Sequence, residues 1–169
     1  VYQLDVTSMF PNIMIRDGLL GPATDKYAAL VADRIENKKA GNPKAKTQKI
    51  VINATYGGTR SNWLNLYNPK VAIHVNVAGM VAVYNLARGL AKFGQIIQVN
   101  TDGVAVKLNN VSNAKERMFT VKKEWEKYFK LSLEVTHFKR LIQRDVNNYI
   151  AVKDNDHLMQ IVDRIVSKV

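Results

Sequence analysis

Two aspartates, Asp5 and Asp102, stand beside segments whose composition predicts β-strands. Asp5 lies near the end of residues 1–6, and Asp102 lies in the polar turn between the β-branched runs 95–99 and 104–108, which indicates a hairpin. An Asp in a hairpin turn is usually a turn residue only, because Asp tolerates tight backbone geometry. Two strand-end carboxylates that converge on one spot, however, make a site for divalent cations. Both interpretations stay open at this point.

A second group of side chains has the chemistry of a phosphate site. Arg34 and Lys38 are four residues apart on one predicted helix, and Lys49 and Asn53 are four apart on the next. Three cations and an amide suit a triphosphate, because Arg and Lys are the usual phosphate ligands. Spacing alone favours the simpler interpretation, in which these are exposed helix charges.

The charge of the chain also points to an anionic partner. The 169 residues carry a formal net charge of +11. Residues 26–60 contribute eight Lys or Arg against two Asp or Glu, whereas residues 1–25 contribute one Arg against three Asp. Such a balance favours nucleic acid, phosphates or an anionic membrane surface. The alternative is a basic face that is simply solvated.

Other features of the composition bound the class of protein. The length and the hydrophobic content of 47% suit one compact domain with a real core. There is no cysteine, so neither a disulfide framework nor a thiolate metal site is expected. Without an 18-residue apolar run or a signal peptide, we expect no membrane span and no membrane partner. Because the chain opens in mid-strand, we expect a fragment of a longer protein.

The order of predicted elements indicates an α+β fold, in which an antiparallel sheet has helices on one face. This order fits the ferredoxin-like palm arrangement, with a helical hairpin inserted after the first strand, but many folds share it and order alone decides little. We expect strands at 1–6, 95–99, 104–108, 131–144 and 147–152. We expect helices at 8–15, 26–39 with Thr24 or Asp25 as cap, 44–55 with a left-handed stop at Gly57-Gly58, 69–93 with Asn68 as cap, 112–129 with Ser112 as cap, and 156–168.

Three segments resemble the motifs of family B DNA polymerases, in the family's order. Residues 5–13, DVTSMFPNI, are similar to the family's DxxSLYPSI. Residues 49–57, KIVINATYG, are similar to KxxxNSxYG, and residues 100–103, NTDG, are similar to DTDS. The first two motifs are specific and the third is weak by itself. The compact spacing and the variants in the last two look most like polymerases of bacteriophages.

The resemblance covers residues 1–152 and implies a domain organisation. Residues 1–20 would be palm, residues 21–58 a fingers helical hairpin, and residues 59–169 palm again. The family's exonuclease domain would precede residue 1 and its thumb would follow the palm, but neither is evident. The implied activity is template-directed addition of deoxyribonucleotides to a primer 3′ end. Primer–template DNA, dNTPs and the remaining polymerase domains are the implied partners, and the cytoplasm of a bacterial host is the implied location.

The resemblance also implies the metal ligands. Asp5 and Asp102 would be the two catalytic, metal-binding carboxylates, and the Val6 carbonyl would assist. The ions would be two Mg²⁺, or Mn²⁺ in their place, about 3.5–4 Å apart. Asn100 replaces the first Asp of the DTDS motif, which in the family is the less essential one, and its amide can still form hydrogen bonds.

By the same resemblance, the nucleotide would be held by Arg34, Lys38 and Lys49, with Asn53 supporting that face. Phe10 occupies the position of the family's Tyr, whose ring packs under the sugar and excludes a 2′-hydroxyl, and Tyr56 would lie near the nascent base pair. The primer–template contacts would come from Gly57, Thr101 and Tyr149. Asn147 replaces the Lys of the family's Lys-x-Tyr element. Without the motifs, Phe10 and Tyr56 would be taken for core aromatics.

Three alternatives remain. A non-catalytic DNA-binding remnant would fit the change at Asn100, although such a remnant has no need of both Asp5 and Asp102. A reverse transcriptase shares the palm, but its hairpin carries two adjacent Asp residues, whereas Gly103 follows Asp102 here. A plain basic interaction module comes last.

Overall fold

The computed structural model describes residues 1–110, 112–145 and 148–153. Its α-helices are α1 (Met9–Arg16), α2 (Thr24–Lys39), α3 (Lys44–Gly58), α4 (Pro69–Leu90) and α5 (Ala114–Phe129). Its strands are β1 (Tyr2–Val6), β2 (Gly94–Val99), β3 (Gly103–Leu108), β4 (Leu133–His137), β5 (Arg140–Asp145) and β6 (Asn148–Val152). A short 3₁₀ turn, Gly21–Ala23, precedes α2. The α+β class predicted from the sequence is therefore confirmed.

The chain forms two compact units, which are described separately. The sheet unit comprises residues 1–6 together with the described residues from 83 onward. The helical unit comprises residues 7–82. The boundary falls within the sequence of α4.

The sheet unit contains a four-stranded antiparallel sheet of order β2-β3-β1-β4, and β5 and β6 form a separate antiparallel pair. Strand β1 is central, with Leu4 opposite both Val104 and Val135. Because side chains alternate along a strand, Leu4 and Val6 share one face, and both are buried. Gln3 and Asp5 lie on the other face and are only half buried. One face of this sheet is thus core, and the other is polar.

The helical unit contains the predicted helical hairpin. Its helices α2 and α3 are joined at residues 40–43, where Gly41 has a φ of +67°. The Tyr27 hydroxyl, early in α2, donates to the Ile52 carbonyl, late in α3, at 3.0 Å. Nearer the loop, the buried Gln48 donates to Asp33 at 2.5 Å. Early residues of one helix meet late residues of the other, so the antiparallel arrangement is confirmed.

Several predicted helix ends differ from the structure. The left-handed stop at Gly57-Gly58 is wrong, because both glycines continue the right-handed helix and Thr59 ends it at a φ of −65°. Thr24 and Asp25 are the first residues of α2 rather than its cap, because the 3₁₀ turn already supplies the helical entry. The Asn68 cap is confirmed, since its Oδ1 accepts from the Val71 amide at 3.2 Å.

The other differences lie in the sheet unit. Helix α4 ends at Leu90 rather than near residue 93. Asn113, with a φ of +123°, precedes α5 in place of the predicted Ser112 cap. The single strand predicted at 131–144 is two strands, because the chain leaves the four-stranded sheet at Phe138. The helix predicted at 156–168 lies outside the described residues.

Within the described part of the chain, one helix is long and apolar enough to cross a membrane, and it is α4. Length and composition alone support that statement, and core helices of soluble proteins meet the same criterion. The expectation of no membrane partner therefore stays a prediction.

Candidate active site

In the sheet unit, Asp5 lies on the central strand and on its polar face. The register places Asp5 opposite Gly103 of β3 on one side and opposite Glu134 of β4 on the other. Cross-strand partners share a face, so the carboxylate of Glu134 belongs to the same surface as that of Asp5. Glu134 is not recognisable as a site residue from the sequence, because a pairing between residues so far apart leaves no local signal.

The turn of the β2–β3 hairpin places Asp102 beside the end of β1. The backbone amide of Asn100 donates to the backbone carbonyl of Gly103 at 2.8 Å. Thr101 and Asp102 are exposed at the tip of this turn. The Asp102 carbonyl accepts from the Val6 amide at 2.7 Å. The backbone of Asp102 is therefore bonded to the residue that follows Asp5.

Gly103 lies against the carboxylate of Asp5, with no room between them for a side chain. A Cβ atom built at Gly103 would overlap Oδ1 of Asp5 and would lie 3.1 Å from the Leu4 carbonyl oxygen. The φ of Gly103 is not in the left-handed region, so any residue could adopt its backbone conformation. Glycine leaves this space to the Asp5 carboxylate, which a Cβ at position 103 would force to move.

The surroundings of Asp5 disfavour its charge. Burial has the largest effect and raises the pKa of Asp5 above its ordinary value of 3.8. The side chain of Gln3 donates to Asp5 at 3.1 Å and opposes this effect, whereas the charges of Asp102 and Glu134 raise the pKa further. Within residues 1–110, 112–145 and 148–153, no three acidic, His or Cys side chains form a ready metal cage. The candidate site therefore consists of the carboxylates of Asp5 and Asp102, and the charge of Glu134 adds electrostatic repulsion at Asp5.

Asn100, which departs from the family motif, has a defined hydrogen-bond partner. Its Oδ1 accepts from Nε2 of Gln98 at 2.5 Å, and Oε1 of Gln98 accepts from Nε2 of Gln143 at 2.6 Å. Because Gln143 fixes the orientation of Gln98, position 100 faces a donor. An amide and a carboxylate can both accept there. The neutral side chain is thus part of a chain of three amides that extends from β5 to the hairpin.

In the helical unit, one predicted site residue, Arg34, contacts Ser8 of the first motif. Ser8 precedes α1 and has a left-handed backbone, with φ 46° and ψ 51°, which is uncommon for a residue with a Cβ. Nη1 of Arg34 donates to Oγ of Ser8 at 3.3 Å. Among the described residues, Nε of Arg34 is buried without a hydrogen-bond partner. A guanidinium nitrogen in this position could donate to an anion bound beside Ser8.

The aromatic residues of the first two motifs also meet. The rings of Phe10 and Tyr56 lie 4.5 Å apart between centroids, inclined at 50°. The hydroxyl of Tyr56 donates to Oδ1 of Asn76 at 2.7 Å. A Cβ at Gly79 would lie 2.8 Å from the terminal methyl of Met9, so glycine makes room for the first motif here. Phe10 and Tyr56 are half buried, which leaves part of each ring accessible.

The remaining cations are on open helix surfaces. Lys38, Lys49 and Asn53 are exposed, and the hydrogen bonds and ion pairs of the described residues include none of these side chains. Lys49, Asn53 and Tyr56 follow the i, i+4, i+7 spacing that places residues on one helix face. The structure therefore joins Arg34 to the first motif by contact, and joins Lys49 and Asn53 to Tyr56 only by a shared face.

The residues proposed for primer and template are spread over both units. Gly57 is exposed in the last turn of α3, and Thr101 is exposed at the hairpin tip. Tyr149 is on β6 opposite Gln143 and is 42% exposed. Asn147 lies outside the described residues.

The chain matches no protein-family model and no curated protein. The likeness to family B polymerases consequently rests on the three motifs and on the contacts of their residues.

Proposed function

We propose that this chain carries the catalytic palm and fingers of a DNA-directed DNA polymerase, with a ferredoxin-like palm. The observation that carries the proposal is the pairing of β1 with β3 in the sheet unit. Asp5 packs against Gly103, the first residue of β3, and Asp102 lies in the turn just before it. The strand order, with β1 between β3 and β4, also suits a split β-α-β palm.

The donor set of the sheet unit suits a hard divalent cation. Asp5 and Asp102 would hold Mg²⁺ or Mn²⁺, with the Val6 carbonyl assisting, since such ions favour carboxylate and carbonyl oxygens. The charges of Asp102 and Glu134 already oppose ionisation of Asp5, and a cation would relieve that repulsion. When bound, two such ions lower the pKa of the attacking hydroxyl and neutralise the leaving pyrophosphate.

The helical unit supplies groups for the incoming nucleotide. Arg34 would bind the triphosphate through the guanidinium that now contacts Ser8, and Lys38 and Lys49 would add charge. Phe10 would pack under the deoxyribose, where its bulk would exclude a 2′-hydroxyl. Tyr56 supports that ring from the other motif.

Primer extension tests the proposal. The chain is incubated with a labelled primer–template, Mg²⁺ or Mn²⁺ and all four dNTPs, beside Asp102→Asn. We expect extension by the wild type that depends on the metal and on the template base, and extension slower by about 10²-fold or more by the variant. Equal activity of both proteins would show that a contaminating polymerase is responsible, and would remove the support for this site.

A second candidate is a DNA-binding protein without catalysis. The neutral Asn100 and the net charge of +11 favour it, because binding to phosphates needs charge but no metal pair. This candidate predicts salt-sensitive binding to primer–template that is equal with and without Mg²⁺, and no thermal stabilisation by the metal. The polymerase proposal predicts that Mg²⁺ or Mn²⁺ raises the Tm of the wild type and leaves that of Asp102→Ala unchanged.

A further inference from the structure

The segment between α3 and α4, residues 59–68, is a closed and ordered loop, here named the Trp63 loop. The Thr59 carbonyl accepts from the Asn68 amide at 2.9 Å, which joins its ends, and Thr59 is 2% exposed. Inside the loop, the Leu64 amide donates to the Ser61 carbonyl at 3.2 Å. Two successive turns on a closed base hold its backbone in place.

This ordered loop presents aromatic side chains to solvent. Trp63 is 89% exposed and Tyr67 is 49% exposed. The other tryptophan of the chain, Trp125, is only 5% exposed and lies 5.0 Å from the ring of Phe129. An exposed Trp forgoes the large gain that burial of an indole brings, and such residues are enriched where a partner binds.

The charge around the loop selects an anionic partner. Between Glu36 and Asp102 the sequence has no Asp or Glu, but it has nine Lys or Arg. Two of these, Arg60 and Lys70, flank the aromatic residues and are exposed. An acidic ligand therefore meets no repelling carboxylate from this segment.

We propose that the Trp63 loop binds single-stranded nucleic acid, with bases stacked on Trp63 and Tyr67 and phosphates beside Arg60 and Lys70. Aromatic platforms with flanking cations are the usual means of binding unpaired strands. The bases of a duplex are already stacked on each other, so an exposed indole gains most from unpaired bases. The choice of nucleic acid over an anionic lipid surface rests on the proposed function, because both carry phosphates.

The two tryptophans make a direct experiment possible. An oligothymidylate is titrated into the protein in EDTA, without dNTPs, and the tryptophan emission is followed. Stacking on Trp63 should quench its emission, whereas the buried Trp125 should contribute a constant background. An oligomer of abasic sites with the same number of phosphates should bind more weakly and cause little quenching.

Variants locate the effect. Trp63→Ala should weaken binding of a labelled oligothymidylate by about 5- to 150-fold, the range for loss of one stacked base. Trp63→Phe should bind within about threefold of the wild type but without quenching, because an aromatic face remains. Since Trp63 is almost fully exposed, circular dichroism should show both variants folded.

Each contrary outcome is informative. Equal affinity of Trp63→Ala and the wild type, or equal quenching by the abasic oligomer, would overturn the proposal. A blue shift on vesicles of phosphatidylglycerol and phosphatidylcholine, without quenching by oligothymidylate, would assign the loop to a lipid surface instead. Because the titration is run in EDTA without dNTPs, it reports on the Trp63 loop whether or not the chain extends a primer, so failure of the catalytic proposal is distinguishable from failure of this one.

Discussion

The carboxylates of the sheet unit and the cations of the helical unit are positioned in different ways. Asp5 and Asp102 belong to backbones that are hydrogen-bonded to each other across adjacent strands. Lys38 and Lys49 project from exposed helix surfaces, and each can adopt many rotamers. Backbone pairing fixes a carboxylate to one register, whereas a helix face fixes only a direction. Metal ligands need the first kind of placement, and flexible triphosphate contacts tolerate the second.

Arg34 is intermediate between these cases. It is on a helix, yet its guanidinium contacts Ser8 and one of its nitrogens is buried. We therefore expect Arg34 to keep its position when Lys38 or Lys49 is replaced.

The largest expected effect is the loss of catalysis on the carboxylate side. Asp102→Asn should reduce the rate of primer extension by about 10²–10³-fold or more, the scale found when one preorganised electrostatic contact is removed from an active site. The variant should keep its affinity for primer–template DNA, since phosphate contacts are unchanged. Single-turnover extension at saturating DNA measures the effect. A rate within fivefold of the wild type would exclude Asp102 as a catalytic residue.

On the cation side, Lys49→Ala should weaken dNTP use by one to two decades. Losing one charge-assisted contact to a phosphate removes about 1.5–3 kcal/mol. Nucleotide titrations at saturating primer–template measure it, and DNA binding should stay nearly intact. Lys39→Ala is the control, because Lys39 is also an exposed lysine of the helical hairpin and is not among the proposed nucleotide ligands. Identical losses in both variants would indicate a general effect of charge rather than a triphosphate contact.

Phe10 belongs to the first motif, and its ring packs on Tyr56 of the second motif within the helical unit. Phe10→Ala should increase incorporation of ribonucleotides relative to deoxyribonucleotides, because the steric block to a 2′-hydroxyl is removed. Competition between the two nucleotides in primer extension gives the ratio. Phe10→Tyr keeps the bulk and should retain the selectivity of the wild type. An unchanged ratio in Phe10→Ala would identify Phe10 as a packing residue.

The contact between Gly103 and Asp5 can be measured without any activity. Gly103→Ala should destabilise the protein by about 1–3 kcal/mol, the usual cost of overpacking. In an Asp5→Ala background most of that cost should disappear, because the overlapping carboxylate is gone. Urea denaturation of the four proteins gives the coupling free energy. Gly57→Ala is the control, since a Cβ there meets no atom within 4 Å. Full additivity of the two changes would contradict the packing described here.

The smallest effects concern two aspartates with opposite pKa shifts. In the helical unit, a hydrogen bond from Arg16 is the main cause that lowers the pKa of Asp17 to about 2, and His74 contributes at 2.8 Å. The stability from Asp17 is therefore present above its unfolded pKa of 3.8 and is lost as the pH falls towards 2. Asp17→Asn should destabilise the protein at pH 7, and the difference from the wild type should shrink as the pH falls towards 2 and vanish below it.

Asp5 should behave in the opposite way. Because its folded pKa is raised, its ionisation costs stability, and this cost appears as the pH rises above 3.8. Asp5→Asn should therefore stabilise the metal-free protein at pH 7, since an amide oxygen can still accept from Gln3. Urea titrations between pH 3 and 7 compare both variants with the wild type. A destabilised Asp5→Asn would show that burial and repulsion are not the dominant influences on Asp5.

The sequence predicted the features that depend on neighbouring residues. Two β-branched runs on either side of a polar turn identified the β2–β3 hairpin, and cap and stop residues identified α2 and α3. It did not predict the end of α3, because Gly57 can adopt right-handed as well as left-handed geometry. Glu134 and the amide chain through Gln98 were missed for another reason. They depend on strand register and on contacts between distant segments, which a local pattern does not contain.

The position of β1 in the sheet has a consequence for the order of folding. Val6 pairs with Leu133, 127 residues later, so the polar face that bears Asp5 is incomplete until β4 has been made. At about 5–20 residues per second, a ribosome needs roughly 6–25 s to cover that interval. The helical unit is continuous in sequence and can form during this delay. Pairings of such high contact order are slow, so the carboxylate site should be among the last parts of the nascent chain to mature.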